Sequence, residues 1–148
     1  MWLLVMPTNS QLPRREDYDL FISYSHRNEE WAQQWLLPKL EAAGFKVCID
    51  FRDFVPGAPS VTEMERAVQT SRKTLLVLTP TYIASEWTEF ENVMVQTLDP
   101  AARQRRMIPI LLEPCDIPLR IRMLTYLDMT LPDKHEFQFG RLVKAIRW

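Results

Sequence analysis

A doubly wound α/β fold is predicted by three observations. Between residues 18 and 147, short apolar runs alternate with helical stretches through five strand–helix units, the pattern of a parallel sheet with helices on both faces. One run, at 74–79, is continuously apolar, as suits a strand covered on both sides. The chain has 148 residues, 47% of them hydrophobic, enough for one domain with its own core. Five such units most commonly adopt the flavodoxin-like strand order 2-1-3-4-5.

The elements follow in order. Residues 1–17, with Asn9, Ser10, Pro7 and Pro13, read as an arm, and residues 18–148 as the domain. The first strand is 20–24. Asn28 is placed to cap a helix to about Ala43, with Glu29 and Glu30 suited to its positive end. Trp31, Trp35, Leu36 and Leu40 form its inward face, Pro38 predicts a kink, and Gly44 supplies the stop. The second strand is 45–50, followed by a loop at 51–59 that turns at Pro56-Gly57. Ser60 and Glu63 have capping-box spacing for the next helix, which carries Met64, Ala67 and Val68 on one side. After the third strand, a helix over 85–98 carries Trp87, Phe90, Met94 and Leu98 at helical spacing. The fourth strand is 107–112, with Pro109 a poor fit to its middle. A weak strand near 126–128 and a helix over 136–147 complete the chain.

Composition excludes several functions. The net charge is −1 with the two signs interspersed, so there is no electrostatic footprint for nucleic acid or a membrane surface. Arg103, Gln104, Arg105 and Arg106 read as a solvated loop. Cys48 and Cys115 lack metal-ligand spacing and read as free thiols of a reducing cytoplasm. The apolar opening at 1–6 is too short to span a bilayer and lacks a basic leader region. Three glycines exclude a dinucleotide-binding fingerprint, and no metal site is expected.

Glu91 stands out. It lies four residues after Trp87 and therefore points inward along the apolar stripe, where a carboxylate is costly unless it has a task. In the 2-1-3-4-5 order, ligands bind where the first and third strands part. The first strand ends near Ser25 and the third near Thr79, just before the helix that bears Glu91.

Three segments carry a family resemblance. The run 18–25 (YDLFISYS), the loop 52–57 (RDFVPG) and Ser85-Glu86-Trp87 followed by Glu91 together resemble the boxes of the Toll/interleukin-1 receptor (TIR) domain, in the right order and spacing. The likeness covers about 17–147. A further family box, a Phe-Trp pair near the last helix, has no clear counterpart, although Phe137, Phe139 and Trp148 are nearby. Glu91, four residues after the tryptophan, resembles the bacterial-type subgroup that cleaves NAD+.

The resemblance implies the following expectations. Glu91 is the catalytic residue. It either stabilises the oxocarbenium-like ribose as the nicotinamide bond breaks or attacks it as a nucleophile. Tyr24, Ser25, His26 and Trp87 are candidate substrate contacts, with ordinary packing as an alternative or an accompanying role for Trp87 and an ordinary loop role as the alternative for His26. Arg52, Asp53, Phe54, Val55, Pro56 and Gly57 form a self-association loop whose turn projects Phe54 and Val55. NAD+ is a substrate and no cofactor is implied. Partners are other TIR protomers, as a homo-oligomer or filament, and a sensor module or sensor protein, in cytoplasmic bacterial immune or cell-suicide signalling. The product, nicotinamide with linear or cyclic ADP-ribose, is left open. A non-enzymatic TIR scaffold is the alternative. A phosphoacceptor receiver domain is disfavoured because Thr79-Pro80 occupies the acceptor position.

Overall fold

The structure is a computed structural model that describes residues 17–97 and 106–148, with the side chains of 95–97 left aside. Most of the arm, Leu98 and residues 103–105 therefore lie outside the described residues. Five parallel strands form one sheet in the order β2-β1-β3-β4-β5, as the alternation predicts. They are β1 (Tyr18–Ser23), β2 (Val47–Cys48), β3 (Ser71–Leu78), β4 (Met107–Leu111) and β5 (Leu127–Asp128).

Side chains alternate between two cores, one on each face of the sheet. Leu20, Ile22, Tyr24, Leu75 and Val77 meet Leu36, Leu40, Leu142 and Ile146 on one face. Phe21, Cys48, Leu76 and Leu78 meet Ala67, Val68, Phe90 and Met94 on the other. The helices supplying the first core are α1 (Leu37–Ala42), with the wide helical turns before it, and α7 (His135–Arg147). Those of the second include α3 (Ser60–Thr70), α4 (Pro80–Ser85) and α5 (Trp87–Thr97). Among the described residues, no helix is long and apolar enough to cross a membrane.

The local structure corrects several sequence expectations. Ser25, not Asn28, opens the first helical region: its Oγ accepts the Arg27 N–H at 3.3 Å above a 3-10 turn at His26–Asn28. Pro38 does not simply kink the helix. Residues Trp31–Leu36 widen into a π-helix, where the Leu37 N–H reaches back five residues to the Ala32 carbonyl. A proline cannot donate to the carbonyl four residues back, and the wider winding accommodates that missing bond. Gly44 has a φ of 95°, in the left-handed region expected of a helix stop.

The second strand is only two residues long, and Asp50–Asp53 forms a short helix, α2, where a loop was expected. Ser60 and Glu63 make no capping box. Pro59 is the N-cap of α3, without a side-chain cap, and Glu63 bonds elsewhere. The predicted helix over 85–98 is α5 within the described residues, and a separate short helix, α4, precedes it, because Thr79 accepts the Tyr82 N–H at 3.1 Å and starts a helix at Pro80.

Arg106 is not on a solvated loop. It is 8% exposed and donates to the carbonyls of Val68, Ser71 and Arg72 at 3.3, 2.9 and 3.4 Å. Helix α3 passes into β3 without an intervening loop, so its last carbonyls need an outside donor, and Arg106 supplies it.

Pro109 lies inside β4, opposite Leu76. The Arg106 carbonyl accepts from the Thr74 N–H, and the Leu112 N–H donates to the Leu78 carbonyl. Even-numbered residues of β4 therefore bond to β3, and Pro109 turns its missing donor toward the β5 side. There β5 begins only at Leu127, opposite Ile110. The proline costs the ladder nothing.

Candidate functional site

Glu91 lies on α5 about 100° around the helix from Phe90, the centre of its buried face. Phe90 and Met94 are 0% and 1% exposed, whereas the Glu91 side chain retains 36% exposure. The sequence expectation of an inward carboxylate is therefore corrected: Glu91 sits at the border of the buried stripe. Its Oε2 accepts from Arg120 Nε at 3.3 Å. Arg120 belongs to α6 (Leu119–Arg122), which follows β4. Both partners are partly exposed, so the pair is screened by water and weakly held.

Trp87 is 7% exposed and packs 6.2 Å from Phe90, within the second core. This is the packing role weighed against a substrate platform, and it leaves little of the ring accessible.

Tyr24, Ser25 and His26 lie together at the carboxyl end of β1. Tyr24 is buried and donates its hydroxyl hydrogen to Asp50 Oδ1 at 2.6 Å, while accepting from Gln33 Nε2 at 2.8 Å. Burial first, and then the Asp50 hydrogen bond, raise its pKa above the usual phenol value. Ser25 is 3% exposed and engaged as a cap. His26 is exposed, its ring edge-on to Tyr24 with centroids 6.4 Å apart.

Across the same end of the sheet, Ser23 Oγ and the Tyr82 hydroxyl are hydrogen-bonded at 2.8 Å, joining β1 to α4. Asn28 Nδ2 donates to Glu113 Oε2 at 3.2 Å. This bond links the segment after β1 to the segment after β4, past the end of β3, which lies between those strands. Among the described residues, no hydrogen bond or ion pair joins Glu91 to the Tyr24–His26 group, and no cluster of three His, Cys, Asp or Glu could hold a metal ion.

The loop after β2 is pinned at several points. Arg52 donates to Glu41 Oε2 at 2.9 Å and to the Val47 carbonyl at 2.7 Å, and it also pairs with Asp53. Asp53 Oδ2 accepts the Ile49 N–H at 2.9 Å. Phe54 turns inward and stacks on Phe21, with centroids 5.9 Å apart. The expectation that Phe54 projects is therefore corrected, because its ring completes the second core. Val55 does project, at 49% exposed, and Phe51 is 57% exposed. Gly57 has a φ of 88°, which a residue with a Cβ rarely adopts.

Sequence reasoning missed Phe51, Arg120 and Glu113. Arg120 and Glu113 carry no periodic or motif signal, since only the sheet order brings them beside Glu91 and Asn28. Phe51 was read as the first residue of a loop, and the turn of α2 is what exposes it.

The pattern of the family described as TIR domain matches residues 20–143. Toll-like receptor 2 of Ovis aries is 32% identical over 157 aligned positions, covering 97% of this chain and 20% of the receptor. Toll-like receptor 1 of Homo sapiens is 35% identical over 104 positions, covering 70% of this chain and 13% of the receptor. The chain thus spans a fifth or less of these receptors. Among solved structures, the TIR domain of the Toll-related receptor TRR-2 from Hydra magnipapillata aligns with a TM-score of 0.74 and 28% identity, covering 88% of this chain and 99% of that one. A metazoan TIR-STING receptor from C. gigas aligns with a TM-score of 0.68 and 26% identity, covering 91% and 42%.

Proposed function

The chain belongs to the TIR domain family, and we propose that it signals by associating with other TIR domains, the assembled form cleaving the nicotinamide–ribose bond of NAD+ at Glu91. The observation that carries this reading is the position of Glu91: one helical turn after Trp87, at the rim of the buried stripe, and free to be uncovered. Among the described residues, a partly exposed ion pair with Arg120 is what holds it, and such pairs contribute about 0.2–1 kcal/mol. A ligand is thus able to displace Arg120 at small cost.

The chemistry needs little more. Nicotinamide leaves as a neutral molecule and requires no general acid. One carboxylate near the ribose can stabilise the positive charge that develops as the bond breaks. Tyr24 and Ser25 are committed to internal hydrogen bonds, so their part is to shape the end of β1. His26 is the exposed group there that is able to meet a phosphate or ribose hydroxyl. Association supplies the control, with Phe51, Val55, Pro56 and Gly57 as the projecting residues. The setting is cytoplasmic, with a sensor module supplying the trigger.

A second reading, a scaffold without enzymatic activity, is favoured by one observation: Glu91 is already paired with Arg120, as an ordinary surface glutamate would be. The Toll-like receptor relatives support it too.

The test is release of nicotinamide from NAD+ across a steep protein-concentration series on beads or with a crowding agent. Wild type is expected to gain activity faster than linearly. Glu91→Ala is expected to lose it by about 100-fold or more while still associating, and Val55→Asp to lose both. Association without release, unaffected by Glu91→Ala, would establish the scaffold.

A further inference from the structure

Glu63 lies in the first turn of α3 and is 5% exposed. A carboxylate so placed is costly unless it is bonded, and it does not cap its own helix. Its Oε1 accepts the Val55 N–H at 2.7 Å and a hydrogen bond from Arg66, one turn further along. A charged acceptor bonds a backbone amide more strongly than a neutral one.

That amide belongs to the projecting residue of the loop. The Val55 carbonyl accepts the Ala58 N–H at 3.1 Å across the Pro56-Gly57 turn, and the following proline favours an extended backbone at Val55. Both backbone polar groups of Val55 are thus engaged, and the direction of its exposed side chain is set. A groove of about 340 Å³, lined by Tyr18, Cys48, Phe54, Arg66 and Thr70 among others, runs beside the loop here. Packing therefore leaves space next to Val55, and the Glu63 bond holds the loop against α3.

We infer that Glu63 is a positioning residue of the association surface, its carboxylate holding Val55 and Pro56 in the orientation that meets a second copy of this chain. The inference rests on the association role of the loop proposed above. Preorganising a loop in its bound form removes an ordering cost from association.

Amide hydrogen exchange on the dilute monomer, paired with the concentration for half-maximal association, tests it. In Glu63→Ala the Val55 amide is expected to exchange about tenfold faster or more, while the amides of β1 and β3 are unchanged. The association midpoint is expected to rise about fivefold or more. Glu63→Gln retains an acceptor oxygen without the charge and is expected to fall between wild type and Glu63→Ala in both. Glu63→Asp keeps the charge beside Arg66 but withdraws the oxygen by one methylene. It is expected to match Glu63→Ala, and it serves if the alanine variant does not fold.

Unchanged Val55 exchange in Glu63→Ala and Glu63→Asp would overturn the inference. So would a Glu63→Gln variant no better than Glu63→Ala, or a freed loop with an unchanged midpoint where Val55→Asp abolishes association. If Val55→Asp itself leaves association intact, the loop is not the association surface, and the reading beneath the inference falls with it.

Discussion

Glu91 and Arg120 meet through side chains that both keep more than a third of their surface in water. Their Coulomb attraction is screened there, and ordering two long side chains opposes it. Arg120→Ala is therefore expected to change the unfolding free energy by less than about 1 kcal/mol, read from urea denaturation in low and high salt. A larger loss would mean that Arg120 supports the fold and is not a displaceable cover. The identity of Glu91 and its spacing from Trp87 are legible in the sequence. Its partner is not, because Arg120 lies 29 positions away, on a helix that meets α5 only once both pack into the same core. Trp87 is the plainer case: an aromatic ring at helical spacing within an apolar stripe is expected to pack in the core, and its ring does.

At the scale of elements, the junction of α3 and β3 is the most demanding. A helix that becomes a strand without a loop leaves its last carbonyls without intrahelical donors. Arg106, brought in from the start of β4, bonds to three carbonyls there or immediately beyond. Hydrogen bonds to charged groups contribute about 1.5–3 kcal/mol each, and such contributions overlap when one group makes several. Arg106→Ala is expected to destabilise the domain by about 2–3 kcal/mol or more, seen as a lower urea midpoint with an unchanged slope. Arg106→Lys is expected to recover only part of that, since an ammonium lacks the planar fork that spans several acceptors. A surface-like effect below about 0.5 kcal/mol would contradict the capping role. From the sequence, Arg106 is one of several neighbouring basic residues. What distinguishes it is the β4 register against β3.

For the whole molecule, burial of titratable groups on both faces of the sheet makes stability depend on pH. Burial, reinforced by the nearby Asp53, pushes the Cys48 thiol up to about 12 from a reference value of 9.0. Burial also raises the pKa of Tyr82, and of Tyr24 together with its bond to Asp50. Each group is held in its neutral form by the fold, so the stabilisation is complete below the unfolded pKa and is lost as pH rises toward the folded one. The unfolding free energy is expected to fall by about 1–2 kcal/mol from Cys48 alone between pH 8 and 10.5, measured by urea denaturation at each pH. A flat profile would show that these groups reach solvent in the native state. The sequence by itself determined the class, the sheet order, the two-sided core and the landmark Glu91, because apolar periodicity and strand–helix alternation are local and repeat along the chain. Only the tertiary structure decided that Phe54 turns in while Phe51 and Val55 face out, that Glu63 bonds to the loop amide instead of capping its own helix, that Arg106 is buried, and that Glu91 rests against Arg120. Each of these depends on which distant backbone donor or charge the sheet places within hydrogen-bond reach, and a one-dimensional pattern carries no term for that distance.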